Sequence, residues 1–385
     1  FALAVLSNKL SERVAVPAPA IFLLAAALAG RLFSRVGDEL SVRDVERIAV
    51  LALIVILFDG GMRIGWRRFR AALVPITTLG VLGTFATAGA MTLAARYLFG
   101  FGWTTAGILG AALAPTDPAV MFSVLGKREI GGRTGTILEG ESGVNDPVGI
   151  ALMIGMIEFA THSGASFWVV IREFAVEMTV GLAIGIAGAL VLVEAVRRID
   201  LPNPALYPLR TLAAAGVIYG VAAVAHGSGF LAVFVAGILV SDADLPEKRD
   251  VERFHTSLAS LAEIVVFVAL GLTVNNVALA DRSVWLDALL LSGLLAFVAR
   301  PLVTAPLLWP TGLRSGERLF VMWSGLKGAV PILLAAFALL EHVDGAERIY
   351  GIVFVLVAFS VLVQGATIPY AASRLGVPMR AGARR

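Results

Sequence analysis

The 385-residue sequence contains no cysteine and only four histidines. The absence of cysteine excludes disulfide frameworks, thiolate metal sites and cysteine nucleophiles. Charge is also scarce, because Lys, Arg, Asp and Glu make up 15% of the chain, whereas a soluble domain carries about 25%. No basic and aromatic segment typical of nucleic-acid binding occurs. Hydrophobic residues instead make up 58%, so the sequence indicates a protein whose solvent is the lipid bilayer.

The apolar residues fall into about thirteen segments, most of them near the roughly 20 residues that span a bilayer as a helix. The predicted segments are approximately 1–10, 16–33, 45–61, 71–95, 103–125, 136–159, 168–193, 208–225, 229–241, 257–275, 284–308, 318–341 and 346–373. The first is interpreted as the end of a helix whose start is missing. The ninth is so short that twelve helices are an alternative. Charged loops are predicted at 63–70, 127–133 and 242–253.

Lysine and arginine are distributed unevenly between alternate loops. Of the 31 such residues, 21 fall in the odd-numbered loops and the C-terminal tail, eight in the even-numbered loops, and two inside apolar segments. Positive residues in short loops favour the cytoplasmic side. We therefore expect a multi-pass protein of the cell inner membrane, with its N-terminus outside and its C-terminus in the cytoplasm.

The fifth segment carries an aspartate between two prolines. Pro115 and Pro118 flank Thr116 and Asp117, and prolines disrupt helical hydrogen bonding and the geometry of the preceding residue. We predict that the helix opens here and that freed carbonyls and the Asp117 carboxylate face one cavity, as in the cation sites of discontinuous transporter helices. The alternative is a simple proline kink in which Asp117 is hydrogen-bonded to loosened backbone.

The sixth segment carries a polar stripe. Ser142, Asn145, Asp146 and Gly149 follow the spacing i, i+3, i+4 and i+7, so they share one helical face. Glu141 directly precedes Ser142, so its side chain points about 100° away round the helix and is expected to face a neighbouring helix. The alternative is that these groups join helices by hydrogen bonds, which leaves an unpaired carboxylate without an explanation.

Two cations lie inside apolar segments, where a charge costs at least about 2.5–3.5 kcal/mol. Lys327 lies in a glycine-rich stretch ending at Pro331, which predicts a second broken helix. Matching breaks in segments five and twelve indicate inverted repeats, and a lysine at their crossing would offset the partial negative charge of helix C-termini. Arg300 is predicted either to pair with Glu141 or to snorkel to the membrane interface.

Four motifs together are highly specific, although each alone is weak. They are FDGGMR at 58–63, TDPA at 116–119, ESGVNDP at 141–147 and GLKGAVP at 325–331. In this order and spacing the sequence resembles the bacterial NhaP-type monovalent cation/proton antiporters, most closely the potassium/proton branch, from about residue 10 to 375.

The resemblance implies an all-α sodium/proton antiporter fold with about thirteen transmembrane helices in two inverted repeats and two broken, crossing helices. It further implies a homodimer with core helices at about 71–159 and 284–373 and dimerisation or scaffold helices at about 1–61 and 168–275. The potassium branch often continues into a cytosolic regulatory domain. Nothing follows Arg385, so we expect that regulatory domain to be absent from this sequence and to lie in a longer, full-length chain.

The resemblance also implies which residues bind the ions. A monovalent cation and the proton would share a site formed by Asp117, Asp146, Ser142 and the Thr116 carbonyl, with Asn145 beside the essential carboxylate. Competition at one alternately exposed site is sufficient for antiport. Having Asn145 rather than a second aspartate leaves one fewer titrating charge, a pattern that in the family accompanies electroneutral exchange.

A structural charge pair is implied as well, between Glu141 and Arg300. Lys327 departs from the family, which usually has arginine there, and a lysine lacks the forked donor geometry of arginine. The expected activity is exchange of K⁺ for H⁺, with Na⁺ or Li⁺ as the alternative cation and with no cofactor. Glu263 is expected either to shape the cytoplasmic funnel or to be an interfacial acid. Asp59 is expected to anchor a loop.

Two other classes of protein are alternatives to a transporter. Residues 140–143 and 225–229 fit the GxSG and AHxxG patterns of intramembrane serine proteases, with Ser142 as nucleophile and His226 as base, but these patterns are short and leave the buried charges unused. A cation channel needs a continuous pore lined by carbonyl or carboxylate rings, whereas the sequence has one compact charged cluster. We therefore expect a transporter and not an enzyme.

Overall fold

The computed structural model describes residues 17–32, 41–125, 128–162, 167–273 and 279–381, so the first predicted segment lies outside the described residues. The helices are α1 (Ala18–Leu32), α2 (Val42–Ala71), α3 (Leu73–Phe99), α4 (Trp103–Leu113), α5 (Pro118–Leu125), α6 (Gly132–Thr161), α7 (Phe167–Arg198), α8 (Leu206–Val224), α9 (Gly229–Ser241), α10 (Lys248–Leu272), α11 (Arg282–Thr311), α12 (Ser315–Trp323), α13 (Ala329–Leu340) and α14 (Ala346–Arg374). Two short strands, β1 (Arg128–Ile130) and β2 (Met379–Ala381), pair antiparallel.

Within these ranges, nine helical runs are long and apolar enough to cross a membrane, with the broken pair α4 and α5 counted as one run. Shorter apolar helices are α1, α9 and α13. With α12 joined to α13, the runs correspond to the second through thirteenth predicted segments. The protein is therefore a multi-pass membrane protein.

The predicted loop at 63–70 is instead the last part of α2. The helix is interrupted at Gly65, which has a φ of 66°, a conformation that glycine adopts without steric cost. Beyond the interruption the Arg67 N–H donates to the Asp242 carboxylate at 2.8 Å. The loop predicted at 242–253 is also shorter than expected, because α10 begins at Lys248.

Helix α9 has only 13 residues, yet it is a full element of the bundle. It approaches α2 so closely that a Cβ on Gly61 would lie 2.4 Å from the Phe234 carbonyl, and one on Gly237 would lie 2.4 Å from the Phe58 carbonyl. Small residues allow helix backbones in membranes to approach this closely. A helix enclosed by neighbouring helices rather than lipid does not have to match the bilayer thickness, which explains its length.

Within the described residues, the predicted loops after segments three, five, nine and eleven meet the C-terminal tail at one end of the bundle. Strand β1, after α5, pairs with β2 in the C-terminal tail. Thr134 donates to Glu317 at 2.8 Å, which joins the starts of α6 and α12. The Arg67–Asp242 contact joins the end of α2 to the end of α9. These loops and the tail carry part of the positive charge on which the predicted orientation rests, and this end is called the basic end below.

Candidate cation site

The first helix break separates α4 from α5 at residues 114–117, where the prolines predicted it. At this opening the Asp117 N–H donates to the Leu326 carbonyl at 2.8 Å. The Asp117 carboxylate accepts from the Ala119 N–H at 2.8 Å, so it lies at the N-terminus of α5, where the helix dipole favours negative charge. The carboxylate is thus held by backbone groups at the break.

The second break separates α12 from α13 at residues 324–328 and crosses the first. A Cβ placed on Gly328 would lie 1.8 Å from Asp117 Oδ2, so only glycine fits between the two breaks. The Lys327 N–H donates to Ser360 Oγ on α14 at 2.9 Å. The structure therefore contains the two broken, crossing helices that the motifs predicted.

Lys327 bridges the two breaks through its side chain. Its ammonium donates to the Ala114 carbonyl at 3.0 Å and to the Pro115 carbonyl at 2.7 Å, and the residue is only 2% exposed. These carbonyls lie just beyond the C-terminus of α4, where a cation offsets the helix dipole. Lys327 thus neutralises the open end of the facing helix.

The polar stripe of α6 faces the first break. Asn145 Nδ2 donates to Thr116 Oγ1 at 2.7 Å, which fixes the register between α6 and the opening. Asp146 is 6% exposed, and its Oδ1 has no hydrogen-bond partner among the described residues. A buried carboxylate oxygen without a donor requires a proton or a cation to offset its desolvation.

Glu141 points away from this stripe, toward α11. Arg300 Nη2 lies 2.6 Å from Glu141 Oε1, and both side chains are almost fully buried, so Arg300 does not snorkel to the interface. The α11 helix contains a π turn at Leu295–Ala299, directly before Arg300, and π turns often occur at functional positions. A Cβ on Gly325 would lie 2.6 Å from Arg300 Nε, so the guanidinium also packs on the second break.

A cavity of about 360 Å³ connects these groups to the basic end. Its charged lining comprises five carboxylates and one arginine, namely Asp59, Asp117, Glu139, Asp146, Glu263 and Arg63. Ser142 also lines it, whereas the Arg63 side chain is 38% exposed and marks the opening. An excess of negative groups in a low-dielectric cleft raises the local concentration of cations.

Several contacts at the mouth of the cavity had no sequence signal. Arg68 on α2 contacts Glu139 on α6 at 3.1 Å and Thr136 Oγ1 at 3.2 Å. Asp59 pairs with Arg63 at 2.6 Å and accepts from Thr256 Oγ1 on α10 at 3.0 Å. The Arg68–Glu139 and Thr256–Asp59 contacts join residues 71 and 197 positions apart, so only the folded chain reveals them.

The structure does not bring the protease candidates together. Ser142 is buried on α6 and lines the cavity. His226 is exposed in the turn between α8 and α9. No hydrogen bond joins the two within the described part of the chain.

Two discontinuous helices that cross beside buried carboxylates form the ion-binding architecture of secondary transporters. The comparison of sequences gives the same class. The chain belongs to the sodium/hydrogen exchanger family, whose transmembrane model matches residues 1–373. The resemblance drawn from the four motifs is therefore confirmed at the level of the family.

Individual relatives agree with this assignment. A K(+)/H(+) antiporter NhaP from Alkalimonas amylolytica is 36% identical over 99% of this chain and 67% of its own length. A Na(+)/H(+) antiporter NhaH from Halobacillus aidingensis is 27% identical over 87% of this chain and 85% of its own length. The chain spans about two thirds of the length of the K(+)/H(+) antiporters it matches.

A solved structure shares the fold. The sodium proton antiporter MjNhaP1 from Methanocaldococcus jannaschii matches with a TM-score of 0.82 and 21% identity, over 94% of this chain and 96% of that one. The predicted fold class is confirmed by this match.

Proposed function

We propose that the protein is a secondary antiporter that exchanges a monovalent cation for H⁺ across the membrane. The observation that carries the proposal is the bare Oδ1 of Asp146, which is buried and lines the same cavity as Asp117 at the crossing of two broken helices. Asp117, Ser142 and the Thr116 carbonyl are the proposed further ligands, and Asn145 positions Thr116 through its side-chain hydrogen bond.

Antiport follows from competition for one carboxylate. A proton or a cation each neutralises Asp146, and the two cannot occupy Oδ1 together. If the site reorients only when neutralised, a cation moves one way and protons move the other without a further coupling device. Asn145 contributes no charge of its own, which supports electroneutral exchange. Glu141 and Arg300 hold α6 against α11 and are assigned a structural role.

K⁺ is the proposed cation, and Na⁺ is the alternative. The relative with 36% identity is named a K(+)/H(+) antiporter, whereas the relative named a Na(+)/H(+) antiporter is 27% identical. This difference favours K⁺.

We place the protein in the bacterial inner membrane with the basic end in the cytoplasm, since positive residues of short loops accumulate there. A homodimer is the proposed assembly. Only 22% of the most apolar window of α7 is buried within the chain, compared with 78% for α6. The exposed face of α7 therefore provides apolar surface for a second copy.

The decisive experiment measures proton movement driven by a cation gradient in proteoliposomes. The wild type should respond to K⁺, and separate trials with Na⁺, Li⁺ and Rb⁺ rank the cations. Asp146→Asn retains the size of the side chain but removes its charge, so we expect exchange to fall to the level of empty liposomes. Asp244→Asn, which removes an exposed carboxylate between α9 and α10, is the matched control and should exchange normally. Exchange that persists in Asp146→Asn would sink the assignment.

A further inference from the structure

The cavity has two walls of different origin. One wall is lined by the first broken helix, α6 and α13, and includes Asp117, Ser142 and Asp146. The other wall is lined by α1, α2, α9 and α10. In α10 the lining residues are Ala259, Ser260, Glu263, Ile264, Val266 and Phe267, a spacing that places one helical face on the cavity. Glu263 is the single charged residue on that face.

Three of the other four cavity carboxylates differ from Glu263 in their contacts. Asp59 is held by Arg63, Glu139 by Arg68 and Asp117 by backbone at the helix break. By contrast, Glu263 Oε1 is shielded from solvent and has no hydrogen-bond partner among the described residues. The same is true of Asp146 Oδ1. The cavity therefore holds a bare carboxylate oxygen on each of its two walls.

A purely structural role and an interfacial role both fail to fit this geometry. Carboxylate oxygens shielded from water are almost always hydrogen-bonded when they serve a structural role, and Glu263 Oε1 has no such partner among the described residues. An interfacial acid would face headgroups or water, whereas this side chain lines a cavity in which its charged neighbours are Asp117 and Arg63.

We propose that Glu263 is a second cation subsite, located on the α10 wall, through which a monovalent cation passes between the basic end and Asp146. This inference rests on the proposed antiport function and adds a loading step to it. The negative cavity concentrates cations, and Glu263 supplies one carboxylate ligand outside the crossing. Because Glu263 is not on the element that carries Asp146, it assists loading and release without taking part in the exchange of proton for cation at Oδ1.

This role predicts a split between the two kinetic constants. In proteoliposomes, Glu263→Gln should raise the KM for K⁺ by about threefold to tenfold, the size of effect expected when one like charge is removed from a cation-concentrating cleft. The maximal rate at saturating K⁺ should stay within about twofold, since the reorienting site is intact. Glu263→Asp restores the carboxylate and should recover most of the wild-type KM.

Controls separate this inference from a general loss of function. Glu194→Gln removes an exposed carboxylate that pairs with Arg198 on α7, away from the cavity, and should leave KM unchanged. An unchanged KM in Glu263→Gln, or a fall in maximal rate with no change in KM, would overturn the subsite. Wild-type protein that moves no protons in response to any cation would instead overturn the proposed function. Thermal melting of Glu263→Gln in detergent identifies a folding defect, which Glu263→Asp should then not share.

Discussion

Lys327 is the buried cation on which the crossing depends. Its ammonium donates to two carbonyls of the facing break. A lysine makes these contacts with a compact point charge, without the planar, bidentate guanidinium of an arginine. Each of the two carbonyls needs one donor, and the lysine ammonium carries three protons, so it satisfies both. The geometry explains how a lysine serves at a position where the resemblance implied an arginine.

Replacing Lys327 by methionine should destabilise the fold. The apolar side chain fits the site but leaves the Ala114 and Pro115 carbonyls buried without a donor, at a cost of about 1–3 kcal/mol for each. Thermal melting in detergent should show a clear drop in the midpoint, and exchange should fall with it.

Lys248→Met is the matched control for this substitution. Lys248 also donates to carbonyls at a helix end, those of Ser241 and Ala243, but it is only half-buried at the basic end. Water can donate to these carbonyls in place of the Lys248 ammonium, so the melting midpoint of Lys248→Met should change little. Equal shifts in the two variants would show that burial of the Lys327 carbonyls is not the cause.

At the scale of elements, the broken helices of the core contrast with π turns in the helices that pack around them. These π turns lie at Thr78–Gly83 in α3, Leu295–Ala299 in α11 and Ser360–Gln364 in α14. The turn in α14 presents Ser360 to the Lys327 N–H. Irregular backbone is tolerated at membrane depth where protein encloses it, so the π turn in α14 places a polar group at the crossing.

Gly328→Ala tests how closely the two breaks must approach. The added methyl group would overlap Asp117 Oδ2 and displace the carboxylate. Exchange should fall by about tenfold or more, as expected when a reacting group is misplaced by roughly 1 Å. Gly89→Ala in α3, where nothing lies within 4 Å of the new Cβ, should leave exchange intact and stabilise the helix by up to about 1 kcal/mol. Normal exchange in Gly328→Ala would contradict the observed contact.

The sequence predicted the elements whose cause is local. Pro115 and Pro118 located the first break and the glycines around Lys327 located the second, because both signals act within a few residues. The π turns were not predicted, since they depend on packing between helices. The interruption at Gly65 was predicted as a loop, because charged residues around it concealed a helix that continues inside the bundle.

The candidate site was predictable in its residues but not in its enclosure. The spacing on α6 identified the face that carries Ser142 and Asp146. The sequence pattern could not decide whether Glu263 shapes the cytoplasmic funnel or is an interfacial acid, because that depends on which helices enclose the cavity. The pairing of Arg68 with Glu139 was equally inaccessible, as it requires the relative position of α2 and α6.

At the scale of the whole molecule, Arg68 and Glu139 join two groups of helices at the open end of the cavity. Arg68 belongs to α2, among the proposed scaffold helices, and Glu139 belongs to α6, in the proposed mobile core. Their contact of 3.1 Å exists in a conformation whose cavity reaches the basic end. Movement of the core along the scaffold would separate the two residues, so this pair should favour the conformation seen here.

The absence of native cysteine makes this prediction directly measurable. Ser123 lines the cavity on α5, so Ser123→Cys places one thiol where a membrane-impermeant maleimide can reach it only when the basic end is open. Adding Glu139→Gln should slow labelling by about twofold to fivefold, which corresponds to the upper part of the 0.2–1 kcal/mol range of partly exposed ion pairs. Arg68→Gln should slow labelling to the same extent, and the double substitution should add nothing further.

Asp250→Asn is the matched control, because it breaks an ion pair confined to α10, and it should leave labelling unchanged. Additive effects of the two substitutions, or equal slowing in Asp250→Asn, would show that the pair does not couple the two groups of helices.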